Sequence, residues 1–241
     1  MQEAVIEIES LRAVTYPSPA RFDMYTGVHK GLRAAMSDTL LAVGRLDCAD
    51  ADEVAEVLAT VRALIAMCSD HLEHEERRIH PAMEERCPGS SAQTAGDHND
   101  HRAAFIALEA DVRAVEAAPP ERRAAEALRL YRQLAVFVGE NFVHMHAEEV
   151  ENTTILWQTY TDAELAGIHQ SILSAIAPER MASYMRWMVP FQSPAERAAM
   201  LGGMQQKAPA PVFEGLLATV RPYLDRRDWV KLMTALGRWP D

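Results

Sequence analysis

Six residues of this chain return 73 positions later: His71-Leu72-Glu73-His74-Glu75-Glu76 is matched by His144-Met145-His146-Ala147-Glu148-Glu149. Both copies read His-x-x-x-Glu-Glu. On a helix, residues four apart share a face and are separated by about 6 Å of rise. Each copy therefore offers one imidazole nitrogen and one carboxylate from a single stripe. Two such helices facing each other can hold two metal ions between them, and the chain around them must be folded so that they do face each other.

The surrounding pattern predicts how. From about Arg21, the residues Phe22, Tyr25, His29, Leu32, Met36 and Leu40 recur at steps of three and four, which is one face of a helix. Asp47 to Asp52 form an acidic turn suited to cap a second helix over 53–85, with Leu58, Val61, Leu64, Cys68, His71 and Glu75 on its stripe. Pro88-Gly89-Ser90-Ser91 breaks the chain. A third helix over 92–117 aligns His98, His101, Phe105, Leu108, Val112 and Val115. Pro119-Pro120 breaks it again. A fourth helix runs from 120 to 150 or beyond, aligning Leu130, Leu134, Phe137, Asn141, His144 and Glu148. The fold class expected is all-α, an up-down-up-down four-helix bundle with an additional C-terminal helical segment. Residues 1–20 read as an N-terminal arm, 21–160 as the bundle and 161–241 as the added segment. That segment carries helix patterns over 162–176, 179–189, 194–206, 211–223 and 227–237. Within it Met181, Tyr184, Met185 and Met188 fall at helical spacing, which is the mark of a core stripe more than of a cofactor box.

Charge and cysteine usage narrow the class of function. The net charge is -11, and residues 1–160 hold 27 acidic against 15 basic side chains. An acidic body excludes nucleic acid as a principal partner. No basic, apolar leader and no run long enough to span a membrane stands out. Cys48, Cys68 and Cys87 form no CxxC pair, which argues against a zinc ribbon or a disulfide framework. Reduced thiols in a cytoplasmic protein are expected. No Ser-His-Asp order and no glycine-rich phosphate loop is present.

Eight of the nine histidines lie between residues 29 and 146. A lone histidine on an apolar face is usually a core residue with a hydrogen-bond partner. One on the stripe of each of four helices, with two carboxylates, is costly to bury unless metal compensates the charge. Imidazole with carboxylate and no thiolate suits iron, manganese or zinc. The first and third helices also look repeated, His29-Lys30-Gly31-Leu32-Arg33 resembling His101-Arg102-Ala103-Ala104-Phe105.

The order His29, His71-x-x-x-Glu75, His101, His144-x-x-x-Glu148 resembles the hemerythrin-like (HHE cation-binding) family over roughly residues 20–155. The resemblance implies a bundle around a non-haem di-iron centre with a bridging oxo or hydroxo group, iron being preferred over manganese or zinc. It implies His29, His71, His101 and His144 as terminal ligands and Glu75 and Glu148 as bridges. Oxygen-carrying hemerythrins have His-x-x-x-His on the third helix and His-x-x-x-x-Asp on the fourth. This chain has His98-x-x-His101 and His144-x-x-x-Glu148, so the fifth histidine is open, with His98 the first candidate and His74 the second. His80, His146 and His169 read as surface residues or as supports behind the ligands, and Glu76 and Glu149 as acceptors behind them or as solvent-facing groups.

Five histidines would leave one coordination position free, suiting a terminal diatomic ligand. Four would leave an opening on each metal. A histidine-rich, carboxylate-poor site stabilises high-valent iron poorly, which favours binding or mild oxidation. Three functions follow in order: binding or sensing of O2, NO or peroxide, or iron handling; an oxidase or peroxidase acting on a small nitrogen- or thiol-containing molecule; and a structural metal, with a protein partner or a second copy bound through 161–241.

Overall fold

The computed structural model describes residues 21–239, all helices and connections with no strand among them. The arm expected over 1–20 lies outside the described residues. The four long helices are α1 (Thr26–Gly44), α2 (Ala51–His74), α4 (Ala92–Ala117) and α5 (Pro120–Ala147). Short helices α3 (His80–Arg86) and α6 (Thr153–Thr159) continue α2 and α5. Around the bundle, α1 packs on α2 and α5, and α4 packs on the same two. This is the closed ring that an up-down-up-down chain with short connections produces.

Local chemistry sets the ends. Asp50 caps α2, its side chain accepting from the backbone N–H of Asp52 at 2.9 Å and of Glu53 at 3.1 Å. Gly89, at φ +85°, turns the chain between α3 and α4. There the Glu84 carboxylate accepts from Gly89 N, Ser91 N and Ser91 Oγ. α1 begins five residues later than the periodicity suggests, because Asp23 first accepts from the N–H groups of Tyr25 and Thr26.

The stripes that face inward change character along their length. On α4 the buried series Val115, Val112, Leu108, Phe105 gives way to His101, His98 and Thr94. On α5, Leu130, Leu134 and Phe137 give way to Asn141 and His144. One half of the bundle is therefore an ordinary apolar core, and the histidines collect in the other half.

The two helices that carry the duplicated motif both widen at its glutamate. Glu75–Ile79 and Glu148–Asn152 are single π turns, in which His80 N–H reaches Glu75 O and Thr153 N–H reaches Glu148 O, five residues back. Such insertions inside α-helices recur at functional sites. The two copies achieve this differently. Pro81 has no N–H and its ring would press on the carbonyl of Arg77 in a regular helix, whereas Thr153 Oγ1 donates to Glu148 O at 3.2 Å.

Beyond the bundle, α7 (Asp162–Leu173) starts at a Thr161/Glu164 capping box. It packs at the bundle's end, where Leu165 joins Met24, Ile79, Met83, Leu156 and Tyr160. The chain then forms α8 (Pro178–Met188), α9 (Pro194–Lys207), α10 (Ala210–Val220) and α11 (Arg226–Ala235). These enclose a second core of Met185, Met188, Val189, Leu201, Phe213, Leu217 and Leu232. The methionine stripe of α8 is thus core. It lies on α1, where Met188 fills the space left by the missing Cβ of Gly31, and Lys30 pairs with Glu196 at 2.7 Å.

Candidate metal centre

Six of the seven candidate residues converge. His29, His71, Glu75 and Glu148 present ligand atoms within 4.8 Å of one another, and so do Glu75, His98, His144 and Glu148. The two carboxylates are common to both groups and divide their oxygens between them. Glu75 Oε1 lies 3.1 Å from His71 Nε2, and Oε2 lies 3.5 Å from His98 Nε2. Glu148 Oε2 lies 3.4 Å from His29 Nε2, and Oε1 lies 3.3 Å from His144 Nε2. Each carboxylate thus turns one oxygen towards each group.

Glu75 and Glu148 are 1% and 0% exposed. All four of their carboxylate oxygens, with His98 Nε2, lack a hydrogen-bond partner among the described residues. A buried carboxylate without donors costs several kcal/mol. The residues present therefore fit a pair of cations: hard oxygen and borderline nitrogen donors, converging, and otherwise uncompensated.

The nitrogens behind the ring fix which atom faces inward. His29 Nδ1 donates to Glu149 Oε1 at 3.1 Å, His98 Nδ1 to Glu76 Oε1 at 3.2 Å and His144 Nδ1 to Asp97 Oδ2 at 3.1 Å. A carboxylate acceptor requires the proton on Nδ1, which leaves the Nε2 lone pair for a metal. Arg33 grips Glu149 through both nitrogens, at 2.6 and 2.9 Å, and Arg102 holds Glu76 in the other half.

This support corrects the internal repeat. His29-x-x-x-Arg33 is matched by His98-x-x-x-Arg102, not by the run beginning at His101. His101 is buried but belongs to neither group of four. Its ring stands edge-on to His144 at 4.7 Å and lies 6.4 Å from His98. His74 is half-buried and also in neither group. His146 is exposed, and His169 packs against Phe22. His80 lies behind the centre, its ring stacked on His98 at 4.9 Å.

Tyr25 is the residue whose place at the centre the sequence reading missed. It is fully buried, its ring 5.3 Å from His29, and its Oη accepts from Asn152 Nδ2 at 3.2 Å. Burial, and then the charges of Glu148 and Glu75, push its phenol well above the ordinary range. The signal was its position four residues before His29 on the same stripe.

Without metal, the centre retains protons in its place. Burial disfavours the His144 imidazolium, but the neighbouring Glu148 carboxylate outweighs it and pushes the group up to about 9. Burial likewise opposes the His71 imidazolium, and the neighbouring Glu75 charge raises it nonetheless. His101 moves the other way, down to about 4, through burial and the neighbouring His144 and His98. Metal uptake at pH 7 is therefore expected to release a proton from His144. A weakly buffered indicator titration checks this, and the His144 contribution should fade as pH rises past about 9. Proton-neutral uptake at pH 7 would contradict it.

A small cavity adjoins the centre. Its lining combines His71, Glu75, His98, His101, Asn141 and His144 with Leu32, Met36, Cys68, Leu72, Phe105 and Met145. The void is about the size of one water molecule.

The family model described as hemerythrin HHE cation binding domain matches residues 21–152. That is more than half of the chain, and the chain belongs to this family. No curated protein and no solved structure matches it.

Proposed function

We propose that this protein is a non-haem di-iron protein that binds or senses O2, NO or peroxide. The observation that carries the reading is the cavity beside the His/Glu centre. It has room for about one water-sized molecule, with Leu32, Met36, Cys68, Leu72, Phe105 and Met145 among its lining. Such a void suits a ligand of a few atoms better than a larger organic substrate.

The two irons, when bound, supply open coordination positions and reversible one-electron chemistry. His29, His71, His98 and His144 would hold them at their outer positions, and Glu75 and Glu148 would bridge them. Glu149, Glu76 and Asp97 orient three of these imidazoles and increase their donor strength. His101, neutral at physiological pH, lines the cavity together with Asn141 and the residues of the His/Glu cluster. Leu32, Met36, Leu72 and Phe105 exclude water, which strengthens each electrostatic contact inside. Cys48, Cys68 and Cys87 are free, which supports a cytoplasmic setting. No helix among the described residues is long and apolar enough to cross a membrane.

The test is metal analysis of anaerobically purified protein, followed by absorption spectra during exposure to O2 and then to NO. About two irons per chain, with ligand-dependent bands that reverse when the gas is removed, is the expected result. Irreversible oxidation with turnover of a small amine or thiol would move the reading to an oxidase or peroxidase. One zinc per chain would overturn it.

A further inference from the structure

The cavity beside the His/Glu centre is lined by pairs of residues that occupy matching places in the internal repeat. Leu32 and His101 stand three residues after His29 and His98, and Met36 and Phe105 stand seven residues after them. Cys68 and Asn141 stand three residues before His71 and His144, and Leu72 and Met145 stand one residue after them. All of these side chains line the cavity.

The pairs match in position but not in chemistry. Met36 with Phe105, and Leu72 with Met145, are apolar in both halves. The other two pairs break the symmetry in the same direction. Leu32 of the first half is answered by an imidazole, and the weakly polar thiol of Cys68 by an amide. The strong hydrogen-bonding groups of the lining that lie outside the metal donor set therefore come only from α4 and α5.

Both groups are buried, His101 at 5% and Asn141 at 6% exposure, and the protein satisfies neither in full. His101 makes no hydrogen bond among the described residues and belongs to neither group of metal donors. Asn141 Nδ2 donates to Phe137 O at 2.9 Å, which leaves its second N–H and its oxygen without a partner among the described residues. Buried polar groups without partners cost stability and are rare in native cores. Leucine would serve packing alone at position 101, as it does at Leu32. In either protonation state the His101 ring keeps at least one N–H, so a donor is always present.

We propose, on the strength of the di-iron reading, that His101 donates a hydrogen bond to the small ligand held in this cavity. Asn141 supplies a second polar contact, and the pair biases the centre towards O2 over NO. A hydrogen bond to a charged acceptor is roughly twice as strong as one to a neutral acceptor. O2 takes on more negative charge than NO when a reduced metal holds it, so the donor stabilises O2 more.

The experiment uses full-length protein loaded with iron under anaerobic conditions. His101→Leu installs the residue of the matching position, Asn141→Leu removes the amide, and His101→Gln keeps an N–H. Metal content should equal wild type in all three, because neither residue belongs to a donor group. O2 release should be at least about tenfold faster in His101→Leu, with NO release changed less than about threefold. Asn141→Leu should act in the same direction, and His101→Gln should restore part of the loss. The N–O stretch of protein holding NO should shift between H2O and D2O in wild type and in His101→Gln, and not in His101→Leu. That stretch also decides where O2 oxidises the centre irreversibly. A wild type that takes up neither gas overturns the di-iron reading and this proposal with it. A wild type that binds gas, with release rates and the solvent shift unchanged in His101→Leu, overturns this proposal alone and assigns the void to a resident water.

Discussion

Alanine at Glu75 or Glu148 is expected to remove at least one of about two metal ions per chain. The expectation rests on how the oxygens are shared. Each glutamate turns one oxygen towards the His29/His71 group and the other towards the His98/His144 group. Losing either side chain therefore removes one donor from both positions at once, and neither can be replaced by a neighbour. Glu76 is already engaged by His98 and Arg102, and Glu149 by His29 and Arg33. The histidines sharpen the test. His98→Ala should cost one ion. His101→Ala should leave metal content unchanged, because its ring belongs to neither group of donors. Mass-spectrometric metal analysis of anaerobically purified variants measures this directly. Full occupancy in both glutamate variants would refute the bridging roles. Full occupancy in His98→Ala with loss in His101→Ala would restore the ligand set that the family resemblance first implied.

The contrast between these two histidines shows where the sequence stops being legible. Periodicity places His98 and His101 on one stripe of α4, since residues three apart share a face. It cannot say which ring points at the partner helices. What distinguishes them is support: Arg102 stands four residues after His98 just as Arg33 stands four after His29, and each arginine holds the glutamate that orients its histidine. The helices themselves were readable, because Asp50, Pro120 and the Thr161/Glu164 pair mark their starts with local chemistry. The all-α class and the bundle followed from stripe lengths and breaks. The π turns at Glu75 and Glu148 were not readable. One added backbone residue rotates the stripe by about 100°, but the helices that follow, α3 and α6, are only 7 residues long, too short to show the new phase, and only Pro81 hints at the first. The docking of α7 on the end of the bundle was hidden for another reason. Leu165 meets Met83 and Tyr160 through contacts that no local pattern encodes.

Glutamine in place of Glu148 should have opposite effects on the two forms of the protein. With metal bound, the substitution removes one bridging charge, loosens at least one ion and lowers Tm, because ligand binding stabilises only the folded state. With metal stripped, it should raise Tm at neutral pH. Burial, and then the charge of Glu75, push the Glu148 carboxyl above its ordinary value. Burial acts on Glu75 as well, but His71 and His98 outweigh it and hold that carboxyl well below the usual range. Burial therefore weighs more heavily on the Glu148 charge than on that of Glu75. A carboxyl whose folded pKa is raised contributes stability only below its unfolded pKa, near 4.5, and that contribution disappears as pH rises through the folded value. At pH 7, well above the unfolded value, burial of the Glu148 carboxyl therefore opposes folding of the metal-free chain, and an amide of the same shape relieves it. Lowering the pH to about 4 should shrink the difference between metal-free wild type and Glu148→Gln. Paired thermal melts of loaded and stripped protein measure both signs. A Tm that falls in both forms would mean that Glu148 is held by protein contacts, and that the centre does not depend on a cation to balance its charge.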